Sequence, residues 1–216
     1  MQVKKYIVLG ILFVLPLTIY VFFASGTDLF KQLPVLTENV KETTAFTTSE
    51  GKPVMLHDKI TVLSFLGTDP LSKKANAFNL THKIYNKYAE FEDFQFVTIV
   101  PEGTEADVAI LKNEISEIAD TKRWVFGFGT PENIDRLFSS LQTDYMLASD
   151  SSTPFVFIID KNKNLRGRTD DDDVGIMQGF DARNYSEINN KMDDDVKVVL
   201  AEYRLALKKN NSNRQI

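Results

Sequence analysis

Three patterns of apolar positions organise the chain. The first is "YIVLGILFVLPLTIYVFFA", Tyr6 to Ala24, nineteen residues without a charge. As a helix it would rise about 28 Å, enough to cross the core of a bilayer. The second is the short continuous apolar run. "ITVLSFL" (60–66), "FQFVTIV" (94–100) and "PFVFIID" (154–160) are what strands covered on both faces look like, and "RWVFGFG" (123–129) predicts a shorter one. The third is the helical stripe. Residues 72–91 place Ala75, Phe78, Tyr85 and Tyr88 on one face with Ile84 beside them, and Asp69 or Ser72 can cap the start. Thr104 with Asp107 reads as a capping box ahead of a helix through Ile118. Thr130 with Pro131 opens a helix over 130–141, and 192–209 is amphipathic. Glu50-Gly51 between two extended runs predicts a β-hairpin over 45–56. Strands alternating with helices point to an α/β fold with a central mixed sheet.

At 216 residues, 43% hydrophobic and 25% charged, the chain is long enough for one domain and an added segment. The reading is an N-terminal membrane anchor at 1–24, a tether at 25–40 with a lead-in strand near Val35, a folded domain at 41–209 and a polar tail at 210–216. Lys4 and Lys5 before the apolar segment, and Asp28 as the first charge after it, place the N-terminus in the cytoplasm and the domain outside. A cleaved signal peptide is the alternative, but its apolar core would be shorter and end in an A-x-A-like site, which "FFASG" fits poorly.

Charge and composition then remove functions. A net charge of -5 without a basic cluster speaks against nucleic acid. The absence of cysteine excludes disulfides, thiol redox catalysis and thiolate metal sites. His57 and His82 are too few for a His-rich metal site.

Four passages carry a family resemblance: "EGKPVMLHDKITVLSFLGT", "VTIVPEGTEADVAIL", "RWVFGFGTPENIDRL" and "TPFVFIIDKNKNL". In this order and spacing, over roughly residues 40–205, they resemble the Sco/SenC family, membrane-anchored thioredoxin-like copper chaperones and thiol–disulfide proteins of cytochrome c oxidase assembly. The resemblance implies a thioredoxin-like fold. It would set the two cysteines of the family's C-x-x-x-C motif at Pro70 and Lys74, and its ligand histidine at Ser152. None of these supplies a thiolate or imidazole, so the family's copper and dithiol chemistry does not carry over. Thr153-Pro154 also resembles the Thr-cis-Pro that faces the active-site helix in thioredoxin-like proteins, which makes a cis bond the expectation there.

The expected site is therefore a pseudo-active-site groove of Thr68, Asp69, Pro70, Lys73, Lys74, Ser152, Thr153 and Pro154. Lys73 and Lys74 sit unfavourably for a helix dipole, and are expected to be exposed. No catalysis and no cofactor is expected. The role implied is a binding or assembly factor for another membrane or extracytoplasmic protein. One alternative is a copper carrier using Met55 and His57, which alternate on a possible strand and so share a face. Another is a structural module with no groove function. His82, within a helix, reads as structural or exposed. "TDDDDVG" (169–175) lacks the alternating ligands of a calcium loop and reads as a solvated acidic loop. "DDD" at 193–195 reads as a helix start matched to the dipole. Trp124, Phe126 and Phe128 read as core.

Overall fold

A computed structural model describes residues 2–25 and 32–213, with side chains at 4, 10–21 and 32–206. It divides into two units, 1–31 and 32–216.

Helix α1, Gln2–Ser25, contains Pro16. Side chains from Ile11 to Val21 are exposed on every face of it. Several side chains of the expected span Tyr6–Ala24 lie outside the described residues. Among the described residues no helix is long and apolar enough to cross a membrane.

In the second unit, β1 (Val35–Thr37) is followed by β2 (Ile60–Leu66), which is buried at every position. The helical stretch after it comprises a 3-10 turn Leu71–Lys73, α2 (Lys74–Leu80), a π turn Thr81–Tyr85 and α3 (Asn86–Tyr88). Then come β3 (Phe94–Pro101), α4 (Glu105–Ser116), β4 (Trp124–Gly129) and α5 (Pro131–Ser139). β5 (Ser152–Ile159), β6 (Leu165–Arg166), β7 (Arg168–Asp171), β8 (Gly175–Met177) and β9 (Phe180–Asp181) lead to α6 (Tyr185–Glu187), a π turn Ile188–Met192 and α7 (Asp193–Asn213).

Among the described residues the main sheet has seven strands in the order β1-β6-β5-β2-β3-β4, with β9 on β5. β2, β3 and β4 are parallel and β5 is antiparallel to β2. The continuous apolar runs are explained by cores on both faces. One face packs Val62, Phe96 and Trp124 on α2, α4 and α7; the other packs Leu63, Phe65 and Phe157 on α5.

Several expectations change. The lead-in strand expected near Val35 forms as β1 and joins the sheet, but the unit begins at Gln32, so part of the stretch read as tether is folded. The hairpin at 45–56 is reduced to a turn closed by Thr48 and Lys52, with Thr47 bridging Pro53 on one side and Phe128 of β4 on the other. In the 71–88 helix, Ala77, Leu80, Ile84, Tyr85 and Tyr88 are buried, whereas Ala75 is exposed and Phe78 only half-buried. Thr104 makes no cap; its hydroxyl donates to the Pro101 carbonyl at 2.8 Å.

"TDDDDVG" is solvated as expected except at Asp171, which is 8% exposed and bonded to Lys191 at 2.7 Å, clipping this β7–β8 hairpin to the C-terminal helical stretch. Helical structure begins at Tyr185 under the Asn184 cap, which puts Asp193–Asp195 inside it. Asp193 meets Lys87, Lys197 and Tyr88, and Asp195 meets Arg168, so ion pairing across elements replaces the dipole explanation.

Candidate functional site

β2 ends at Leu66, and Gly67 turns the chain with φ of +69°. A Cβ there would lie 2.4 Å from the Asp150 carbonyl oxygen and 2.8 Å from Ser152 Cβ, so the turn requires glycine. The Thr68 N–H donates to the Asp150 carbonyl at 3.0 Å. Asp69 caps the next turn by accepting from the Ser72 N–H at 3.0 Å, and Pro70 is buried beneath it. Thr68 and Asp69 are exposed.

From the opposite side Asp150 closes the junction. Its carboxylate accepts from Lys73 Nζ at 2.7 Å, from the Ser152 N–H at 3.1 Å and from the Ser152 hydroxyl at 2.6 Å. Burial opposes its charge, but the Lys73 and Ser152 donors prevail and hold the carboxyl below its ordinary range. Sequence reading missed Asp150. The signal was "SDSS" before an apolar run, since Asp bonds readily to the backbone two residues on.

The expected site residues therefore meet in part. Thr68, Lys73 and Ser152 converge on Asp150. Lys74 instead meets Glu114 of α4 at 3.1 Å. Lys74 is exposed as expected, whereas the Lys73 side chain is only 24% exposed, and each ammonium orients a carboxylate. The Thr153-Pro154 bond is trans, correcting the cis expectation. The Pro154 carbonyl accepts from the Ala182 N–H at 2.9 Å, and Asn79 donates to the Ala182 carbonyl at 3.0 Å. The chain's own 180–182 segment thus covers the backbone that an extended peptide would meet. Between Asn76, Ala77, Thr153, Pro154 and Ala182 a cavity of about 10 Å³ remains, near the lower limit for one water. Its floor holds a buried relay, in which Ser64 and Thr98 hydroxyls lie 2.8 Å apart and Trp124 Nε1 donates to Thr98.

Copper does not fit this donor set. Pro70 offers no donor atom, the Lys74 ammonium is paired with Glu114 and the Ser152 hydroxyl is committed to Asp150. Met55 and His57 are both exposed on either side of buried Leu56, but residues 54–59 form no strand and His57 lies in a turn, so the strand alternation expected to put them on one face is absent. His57 is 3.5 Å from Asp58. Among the described residues no group of three His, Cys, Asp or Glu side chains is placed to hold a metal ion. His82 is exposed.

No family model and no curated protein matches the sequence. Solved structures do match. A candidate electron transfer protein from Aquifex aeolicus VF5 is 19% identical over 76% of this chain and 92% of its own, with a TM-score of 0.53. BsSco, a member of the Sco family of cytochrome c oxidase assembly proteins, is 13% identical over 78% of this chain and 98% of its own, with a TM-score of 0.51. The fold is thioredoxin-like. A candidate protein disulfide isomerase from Bacteroides thetaiotaomicron shares the same thioredoxin-like frame at 15% identity, covering 79% of this chain and 94% of that one with a TM-score of 0.51. Sco proteins are thus among the structural neighbours, and at these identities the likeness is one of fold.

Proposed function

We propose that the chain is a membrane-anchored, extracytoplasmic protein of Sco/SenC type that works without catalysis, as a binding or assembly factor in the biogenesis of a respiratory cytochrome c oxidase. The observation that carries this reading is the Asp150 clamp. At the turn where the resembling family presents thiols, this chain has a carboxylate that ties Lys73 and Ser152 together. A closed junction without thiols supports a surface for holding a partner, with Thr68 and Asp69 its exposed part. The anchor rests on the uncharged segment Tyr6–Ala24, whose described side chains are apolar apart from Thr18, which bonds back to the Val14 carbonyl, and its orientation on Lys4 and Lys5.

The test is affinity purification of the full chain from native membranes with oxidase subunits quantified. Wild type retains them, and Thr68→Arg, which alters an exposed side chain whose backbone makes the structural bond, loses them. Equal recovery with both proteins overturns the surface. The copper-carrier alternative rests on Met55 and His57 both being exposed two residues apart. Stoichiometric Cu(I) binding that His57→Ala abolishes would favour it.

A further inference from the structure

α5 and the turn after it bury Ile134, Leu137 and Leu141. Residues 135, 138, 139 and 142 follow helical spacing, so they share a neighbouring face. Gln142, at a φ of +54°, bends the chain back, and the loop that follows runs beside that face. Between the two lies a groove of about 520 Å³, within the range of pockets that take a ligand or an anchoring side chain. Its base is apolar. Phe138 is buried, Tyr145 stacks on Phe155 with ring centroids 3.8 Å apart, and Leu147 packs on the same core. Its lip is Met146, 83% exposed, the most of any large apolar side chain among the described residues. A flexible thioether over a fixed aromatic base is what an adaptable binding surface uses.

The polar groups of the groove are unengaged. Asp135 is exposed and its carboxylate makes no ion pair or hydrogen bond among the described residues, and the side chains of Ser139 and Gln142 make no hydrogen bond. In the wall, the Thr143 hydroxyl oxygen is buried without a partner, which leaves one polar group for an occupant to meet. The charge around the groove has one sign. No described lysine or arginine lines it. Burial, and then the charges of Glu187, Asp144 and Asp181, push the Tyr145 hydroxyl up with no cation opposing them. Cations elsewhere on this side are engaged or turned away. Arg183 is held by Asp181 at 2.7 Å, and Arg136 attracts Glu132. Lys41 meets α5 through its backbone at Ser140, about 140° around the helix from Asp135.

We propose that the groove between α5 and the 142–147 loop docks a peptide segment of a partner protein in which an apolar side chain is flanked by lysine or arginine. The apolar side chain enters between Tyr145 and Met146, a flanking cation meets Asp135, and Ser139 and Gln142 serve the segment's backbone. Each part of such a segment thus has its own group in the groove. The site goes beyond the assembly role and does not depend on the 66–74 turn. α5 packs on the sheet face opposite α2, and no residue of the groove joins the Asp150 clamp.

The test is methionine methyl NMR on the full chain in detergent, titrated with three capped synthetic peptides. They are Gly-Lys-Leu-Lys-Gly, its counterpart with Glu in place of Lys, and Gly-Lys-Ser-Lys-Gly. The Met146 signal is the one missing from Met146→Leu. The Lys-Leu-Lys peptide shifts that signal and leaves Met192, buried in the core on the other sheet face, in place. It binds about fivefold tighter than the Glu peptide, roughly the worth of one exposed ion pair. Asp135→Lys, at an exposed position, removes that preference, and serine in place of leucine abolishes the shift. An unmoved Met146 signal with every peptide overturns the proposal, as does equal affinity for the Lys and Glu peptides. A Met146 shift that grows with protein concentration and no peptide also overturns it, in favour of a second copy of this chain at the groove.

Discussion

Asp150 joins the end of β2, the first turn of the following helix and the start of β5 through hydrogen bonds at 2.6 to 3.1 Å. Asp150→Ala removes the carboxylate bonds and leaves the Thr68 contact, which uses the backbone. The expected loss is about 1–2 kcal/mol, reduced by partial exposure, in urea unfolding. Because its carboxyl is held below the ordinary 3.8, its folded pKa lies under the unfolded one. Its contribution is therefore fully present above that value and disappears as pH falls through the folded pKa. Wild type should lose stability below about pH 4 by more than Asp150→Asn does; identical acid limbs in the two titrations would contradict the clamp. Gly67→Ala is expected to cost about 2 kcal/mol or more, since the Cβ meets backbone at a positive φ. A variant as stable as wild type would mean that the turn can open.

The elements differ in how much of them the sequence disclosed. β2, β3 and β5 were legible because strands buried on both faces cannot tolerate many charges, and α5 because Thr130 and Pro131 are both start signals. Thr130 accepts from the Asn133 N–H at 3.3 Å, and Thr130→Ala should cost about 1 kcal/mol by thermal or urea unfolding. Thr104 carried a similar signal but turned its hydroxyl to Pro101, a choice set by the local turn and invisible in residue spacing. The clamp was half legible. Lys73 and Ser152 were placed at the junction from sequence, whereas Asp150 acts across a separation of 77 residues from Lys73, which no local pattern reports. The trans geometry of Thr153-Pro154 was missed because the dipeptide alone does not disclose the covering 180–182 segment.

Across the folded unit, ion pairs hold the late strands to the C-terminal helix. Arg166 bonds Asp160 at 3.2 Å, Glu202 at 2.7 Å and the Leu33 carbonyl, joining the first strand's lead-in to α7. Asp160 is 2% exposed and would keep the Asn162 and Asn164 donors, so Arg166→Ala removes its cationic partner and should cost about 3 kcal/mol by urea unfolding. The Asp193–Asp195 run misled sequence reading because its partners Lys87 and Arg168 come from other elements. The role proposed for this thioredoxin-like domain is oxidase assembly with neither thiols nor copper ligands at its junction. The direct measurement is cytochrome c oxidase content in native membranes after the chain is removed and then resupplied. A fall on removal is expected, restored by wild type and by Met55→Ala/His57→Ala but not by Thr68→Arg. Oxidase content that is unchanged on removal, or whose recovery depends on His57, would contradict it.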